Sequence, residues 1–297
     1  MEQKEPTKVS DHYDTLVLSG NSTNAIVTLG ALQYLTDHGH IKDIKNYIGT
    51  SSGAILSLLL LIGYQPIEIL TYLCIEKAYK KMGQFNISNM ILMGKSLMSF
   101  EPIKSVLEQL IVEKIGYMPT MRTVERLNGG DKKLVFTTYN LTDDQREYIS
   151  SETHPDLPVI HGLRMSSTFP LVFEPYMYDE KEYLDGGLVD NFAIEYGERM
   201  GDRCLGVLTS NPQHKYNPHD FGNIVWKVFQ IFITTVVKDK IDRTNCDIIC
   251  LDFKSNFFNF ESSNNELIEM FDKGYELCKE NKLWKLQQDC GEQDQLR

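Results

Sequence analysis

Apolar residues along the chain alternate between short β-prone runs and stretches with helical spacing. The first run, Thr15-Leu16-Val17-Leu18, ends in the small-residue turn Ser19-Gly20-Asn21-Ser22. Beyond it Ala25, Leu29 and Leu32 fall at i, i+4 and i+7, Leu35 lies three further on, and Gly39 stands where it ends a helix. Tyr47-Ile48 then leads through Gly49-Thr50-Ser51-Ser52-Gly53 into an apolar helix over residues 54–61. Further on, residues 133–139 and 146–149 read as strands around the turn Thr142-Asp143-Asp144, and 205–208 and 247–251 as short buried strands. Residues 221–237 and 265–283 read as helices; Val228, Phe229, Phe232 and Val236 of the first are expected to face the core, with a membrane face as the alternative. Strands interleaved with helices over the whole length predict an α/β fold: a mostly parallel central sheet flanked by helices, in three layers.

No repeat, linker or low-complexity stretch divides the chain, so its 297 residues read as one domain over 14–285, with flexible segments at 1–13 and 286–297. Lys and Arg number 30 against 41 Asp and Glu, a net charge of −11. That balance argues against a nucleic-acid partner, which needs cations to neutralise phosphates. It also disfavours anionic membranes unless a local patch reverses the sign. Residues 76–104 are such a patch, at +3 from five lysines and two glutamates, with Met82, Met90, Met93 and Met98 among them. Flexible methionines beside lysines suit contact with acyl chains, and peripheral membrane contact through 76–104 is the expectation; a core-packed helical excursion is the plainer alternative. The polar start carries no apolar signal segment, and the six cysteines lack paired C-x-x-C spacing. Reduced thiols and a cytoplasmic setting follow as expectations.

Gly49-Thr50-Ser51-Ser52-Gly53 has the G-x-S-x-G pattern of a nucleophile elbow, in which small flanking residues let a serine sit on a tight strand-to-helix turn. A helix starting at the serine also directs free N–H groups and positive dipole at developing negative charge. Such corners are common punctuation, so the pattern gains weight only from a partner. Tyr183-Leu184-Asp185-Gly186-Gly187 supplies one: an acidic residue at the end of a short strand, followed by two glycines that permit an unusual backbone path.

With these two motifs in this order, the chain resembles the patatin-like phospholipases, a family of lipid acyl hydrolases. Residues 164–175, with their small-residue helix end and proline-bounded run, and Asp190-Asn191-Phe192 add to the likeness. The resemblance implies a Ser–Asp dyad, Ser51 as nucleophile and Asp185 as its base, acting on fatty-acyl esters of phospholipids or neutral lipids. It implies no metal or other cofactor. It also implies an oxyanion hole from the backbone of Gly20, Asn21 and Ser22 with the N–H of Ser52. Here the chain departs from the family, whose first loop carries three glycines, a variable residue, a basic residue and another glycine. This chain has Gly20-Asn21-Ser22-Thr23-Asn24-Ala25. Asn21 is the residue expected to supply positive φ, because Asn tolerates it better than Ser. Two alternatives stay open: a lipid-binding protein with impaired catalysis, and a triad that recruits His161 or His214.

Overall fold

The computed structural model describes residues 12–76, 99–170, 172–210, 221–253 and 262–280. Eight strands form one sheet: β1 (Thr15–Leu18), β2 (Asn46–Thr50), β3 (Lys133–Asn140), β4 (Gln145–Ile149), β5 (Tyr176–Tyr178), β6 (Lys181–Asp185), β7 (Cys204–Ser210) and β8 (Asp247–Asp252). Its order is β5-β6-β3-β2-β1-β7-β8, with β4 also paired to β3. The five strands from β3 to β8 are parallel, while β4, β5 and β6 join antiparallel.

Helices cover both faces, as burial on two sides of a parallel sheet requires. Leu16 and Leu18 of β1 enter a large core with α1 (Ala25–Asp37), α2 (Ser52–Leu61), α3 (Pro66–Glu76), α4 (Glu101–Ile115) and α5 (Met121–Glu125). That layer also takes in α6 (Val159–Ser167) and, at the end of the described chain, α10 (Asn264–Glu280). Val17, one residue out of phase, enters a smaller core on the other face with α8 (Ile194–Glu198) and the end of α9 (Phe221–Arg243). The same alternation separates Leu134 and Phe136 from Val135. A short helix, α7 (Gly187–Asp190), follows β6 directly.

Two readings of the sequence change. Tyr13, assigned to a flexible start, is buried, and its hydroxyl donates to Asp247 Oδ2 at 2.8 Å, which ties the chain's beginning to β8. Helix α9 is not a core helix: Phe232 is 65% exposed and Val228 47%. Its apolar positions are numerous enough to suggest burial, but among the described side chains it is Val237 and Ile241 that pack into the core, while Phe229 lies edge-on to Phe169. Most of the lysine- and methionine-rich stretch, residues 77–98, lies outside the described residues, as do the aromatic cluster at 256–260 and the C-terminal tail.

Helices α1 and α10 cross at a pair of glycines. A Cβ on Gly30 would lie 1.9 Å from the Phe271 carbonyl oxygen, and one on Gly274 would lie 1.9 Å from that of Val27. Backbone cannot yield as a flexible side chain would, so either alanine must force the helices apart. Gly30→Ala or Gly274→Ala is expected to cost about 1–3 kcal/mol through overpacking. At roughly 2–4 °C per kcal/mol for a chain of this size, the thermal midpoint followed by circular dichroism should fall by several degrees.

Candidate active site

β2 runs straight into the start of α2, and Ser51 occupies the corner with φ 56° and ψ −123°. That is a sparsely populated conformation for a residue with a side chain, costing on the order of 1–3 kcal/mol. The flanking glycines make the corner possible by close approach. A Cβ on Gly49 would meet the Gly53 carbonyl oxygen at 2.3 Å, and one on Gly53 would meet that of Leu18 at the same distance. The Ser51 N–H donates to Ser166 Oγ at 2.9 Å, so the end of α6 holds the corner from the side.

Asp185 reaches Ser51 through sheet register. β2 pairs with β3 up to Thr50 opposite Thr137, and β6 pairs with β3 from Asp185 opposite Thr138. β4 occupies the other edge of β3 at both positions. β2 and β6 therefore share a single edge end to end, and the strand bearing Asp185 begins its pairing where the strand feeding Ser51 stops. The Asp185 carboxylate accepts hydrogen bonds from the Ser51 hydroxyl and, at Oδ1, from the Gly187 N–H at 2.7 Å. Its own N–H donates to the Thr168 carbonyl at 2.8 Å. The side chain is fully buried, and that desolvation pushes its pKa up to about 7 against the pull of its two hydrogen bonds.

The loop from β1 to α1 lies against this pair. Its conformation reverses the sequence expectation: Asn21 has φ −144°, and Ser22 takes the left-handed geometry at φ 50°. Asn21 is freed from that role and turns its side chain inward, donating from Nδ2 to Ser19 Oγ at 2.9 Å. Two of the expected oxyanion donors are already engaged. Gly20 N–H donates to the Asn191 carbonyl at 3.2 Å, and Asn21 N–H to Ser52 Oγ at 2.9 Å. Ser22 and Ser52 each open a helix, so neither N–H has an intrahelical acceptor. Both residues border the cavity that holds Ser51.

Asn191 is a residue whose role the sequence motif did not reveal. Its Nδ2 donates to the Gly20 carbonyl at 3.0 Å while its own carbonyl accepts the Gly20 N–H, so it brackets the loop on both sides. Nearby, the Thr50 hydroxyl donates to the Asp190 carbonyl at 3.0 Å. The buried Asp190 carboxylate accepts from Lys240 Nζ at 2.6 Å, Tyr148 at 2.7 Å and Arg146 at 3.2 Å. The turn after Asp185 is thus fastened to the first loop, to the serine strand and to α9.

Ser51 opens onto a cavity of about 770 Å³. One side of its wall is apolar, with Ile55 and Leu59 of α2, Ile26 and Leu29 of α1, and Val106 and Leu110 of α4, while Lys227, Gln230, Thr234 and Lys238 of α9 also border it. Among the described residues no histidine borders it. His161 is hydrogen-bonded to Tyr176 and lies against Tyr178, and burial lowers its pKa. His214 lies outside the described residues.

A family model described as patatin-like phospholipase matches residues 16–197, the span from β1 to α8 that includes both Ser51 and Asp185. A protein of invertebrate iridescent virus 6 named as a probable lipid hydrolase is 30% identical over 279 residues, covering 89% of this chain and 87% of its own. An uncharacterised protein of Acanthamoeba polyphaga mimivirus is 24% identical over 242 residues, covering 75% and 73%. Among solved structures, VipD of Legionella pneumophila superposes with a TM-score of 0.51 at 16% identity, over 90% of this chain and 66% of VipD. ExoU of Pseudomonas aeruginosa, in its complex with SpcU, gives 0.52 at 15%, over 90% of this chain and 52% of ExoU. These two likenesses bear on the fold alone, and the chain spans less than two thirds of either protein. Matched by the family model over more than half its length, the chain belongs to the patatin-like phospholipase family.

Proposed function

We propose that this member of the family hydrolyses fatty-acyl esters of lipids by a Ser51–Asp185 dyad. One observation carries the reading: a serine on a tight strand-to-helix corner donates its hydroxyl proton toward a fully buried carboxylate at the mouth of a cavity with one apolar side. Ser51 Oγ attacks the ester carbonyl carbon and its proton passes to Asp185. The carbonyl electrons move onto oxygen, where the N–H groups of Ser22 and Ser52 stand to receive them. Collapse of the intermediate breaks the ester C–O bond, and the departing alcohol takes the proton from Asp185. Water then attacks the acyl-serine, again giving its proton to Asp185; that proton returns to Ser51 as the fatty acid leaves.

The cavity supports an acyl chain as the part of the substrate that is bound. Ser51, Ile55 and Leu59 recur every fourth residue along α2, so the wall runs roughly 12 Å from the nucleophile by helical rise. A catalytically impaired lipid-binding protein is the second reading. The observation that favours it is that Gly20 and Asn21 have their N–H groups already engaged.

A fluorophosphonate probe separates the two readings. The hydrolase reading expects covalent labelling that disappears in Ser51→Ala. Asp185→Asn should lower kcat/KM for a soluble ester by roughly 10²–10⁴-fold, the usual contribution of a general base. An unlabelled wild-type protein that retains co-purified lipid would establish the second reading instead.

The pH dependence has a definite sign. Asp185 must be ionised to accept the proton, so kcat/KM should rise through about pH 7 and level off above it. The folded state holds this proton up to about 7, against an ordinary value of 3.8. It therefore binds more protons than the unfolded chain in that window, and stability falls as pH rises across it. Denaturant unfolding of Asp185→Asn at several pH values should lack that part of the slope. Ile55→Trp, one turn from Ser51, should narrow the cavity and cut the ratio of long-chain to short-chain ester turnover by roughly tenfold or more.

A further inference from the structure

Helix α9 turns its polar residues toward the cavity that holds Ser51. Lys227, Gln230, Thr234 and Lys238 recur at spacings of three and four, so they share one face, and all four border the cavity. Val228, Phe232 and Val236 lie off that face; they are largely exposed, and none of them borders the cavity. Ile231 and Val237 border it beside the polar four, which makes this wall mixed where the wall from α1, α2 and α4 is apolar. A wall built for an acyl chain alone has no use for lysines, because hydrocarbon offers a charge nothing in return for lost water. The cavity thus has a side for hydrocarbon and a side for a polar group.

The charges at hand indicate the sign of that group. Among the described residues, the charged ones bordering the cavity are Lys227, Lys238, Asp185 and Asp252. Both carboxylates already accept protein hydrogen bonds, Asp185 from Ser51 and Gly187 and Asp252 from the Ser210 hydroxyl. Asp239 and Asp242 of the same helix do not border the cavity, and Asp239 pairs with Arg243 at 2.7 Å. Lys227 is half-buried, Lys238 is exposed, and among the described residues neither makes an ion pair. The two stand about 16 Å apart along the helix axis, so positive charge extends along this side of the cavity instead of meeting at one point. A head group of net negative charge is attracted by both lysines. A choline head sets its own cation beside one of them, which offsets what its phosphate gains from the other.

We infer that Lys227 and Lys238 form the head-group side of the substrate site and select acyl lipids whose head carries net negative charge, the acyl chain lying against α1, α2 and α4. The inference rests on the lipid-hydrolase reading for the class of ligand and deepens it by naming the head. Both lysines are specificity residues, with no part in proton transfer.

The test uses short-chain phosphatidylglycerol and phosphatidylcholine with the same acyl chains, kept monomeric so that no lipid surface takes part. The parent protein should hydrolyse phosphatidylglycerol with the higher kcat/KM. Lys227→Gln with Lys238→Gln should lower the ratio of the two kcat/KM values by roughly tenfold, as expected for losing hydrogen bonds to a charged group, and chiefly through KM. Lys227→Arg with Lys238→Arg keeps the charge and should keep most of the ratio; thermal midpoints by circular dichroism show that each variant is folded. Equal turnover of the two lipids by the parent would overturn the inference, as would a ratio that the glutamine variant leaves unchanged or that the arginine variant loses as fully. Preference seen with vesicles and absent with monomers would place the selection at a lipid surface and overturn it too. Calorimetric titration of both lipids into Ser51→Ala, with and without the glutamine pair, separates binding from turnover. Lysine-dependent preference there, in a protein whose parent hydrolyses neither lipid, would uphold the head-group side and count against the dyad; no preference there would overturn the inference whatever the turnover.

Discussion

One edge of β3 is divided between two strands, and the active centre depends on that division. β2 arrives parallel and ends at Thr50, and β6 arrives antiparallel and takes up pairing at the next residue of β3. Each strand end delivers one reacting group, Ser51 from the first and Asp185 from the second. Backbone hydrogen bonds of the sheet thus fix a separation that side-chain packing alone would hold less firmly. The 133 residues between the two groups supply one part of the cavity wall, from α2, α3 and α4, and α1 and α9 supply another.

The first loop solves a related problem with other means. A run of glycines would adopt any path needed to aim amides at the serine. Here polar side chains hold the path: Asn21 anchors to Ser19, Ser52 accepts the Asn21 N–H, and Asn191 brackets Gly20. A glycine loop loses more conformational entropy on ordering than one with side chains, and the side chains add hydrogen bonds of about 1 kcal/mol each. Against this stands the cost of Ser22 at positive φ, of similar size.

The elements that carry chemistry were legible because their constraints are local. A strand, a small-residue corner and an apolar helix fix the position of Ser51 from about a dozen residues, and two glycines mark the turn after Asp185. What the sequence concealed depended on distant parts of the chain. Asn21 looked the better candidate for positive φ on intrinsic preference, but it sits at negative φ with hydrogen bonds to Ser19 and Ser52, and the strain falls on Ser22. Helix α9 looked buried because it is apolar on several faces. Periodicity reports that a face is apolar; it does not report whether protein or solvent lies against it. Tyr13 looked peripheral because its partner, Asp247, is 234 residues away. Helices α3 and α4 escaped notice, though they build one side of the cavity.

The buried pair of Asp190 and Lys240 sets how α9 can move. Lys240 is 6% exposed and its Nζ lies 2.6 Å from a carboxylate that also accepts from Arg146 and Tyr148. Parting these charges inside the protein would leave each of them desolvated and unpaired, at a cost of several kcal/mol. Any displacement of the helix that spares the pair must therefore turn about its C-terminal end. Val228 stands twelve residues from that point, roughly 18 Å along the axis. The helix is in mechanical terms a lever, with its fulcrum at a carboxylate five residues along the chain from Asp185, and the greatest travel belongs to the end farthest from that buried pair, where Lys227 and Gln230 border the cavity.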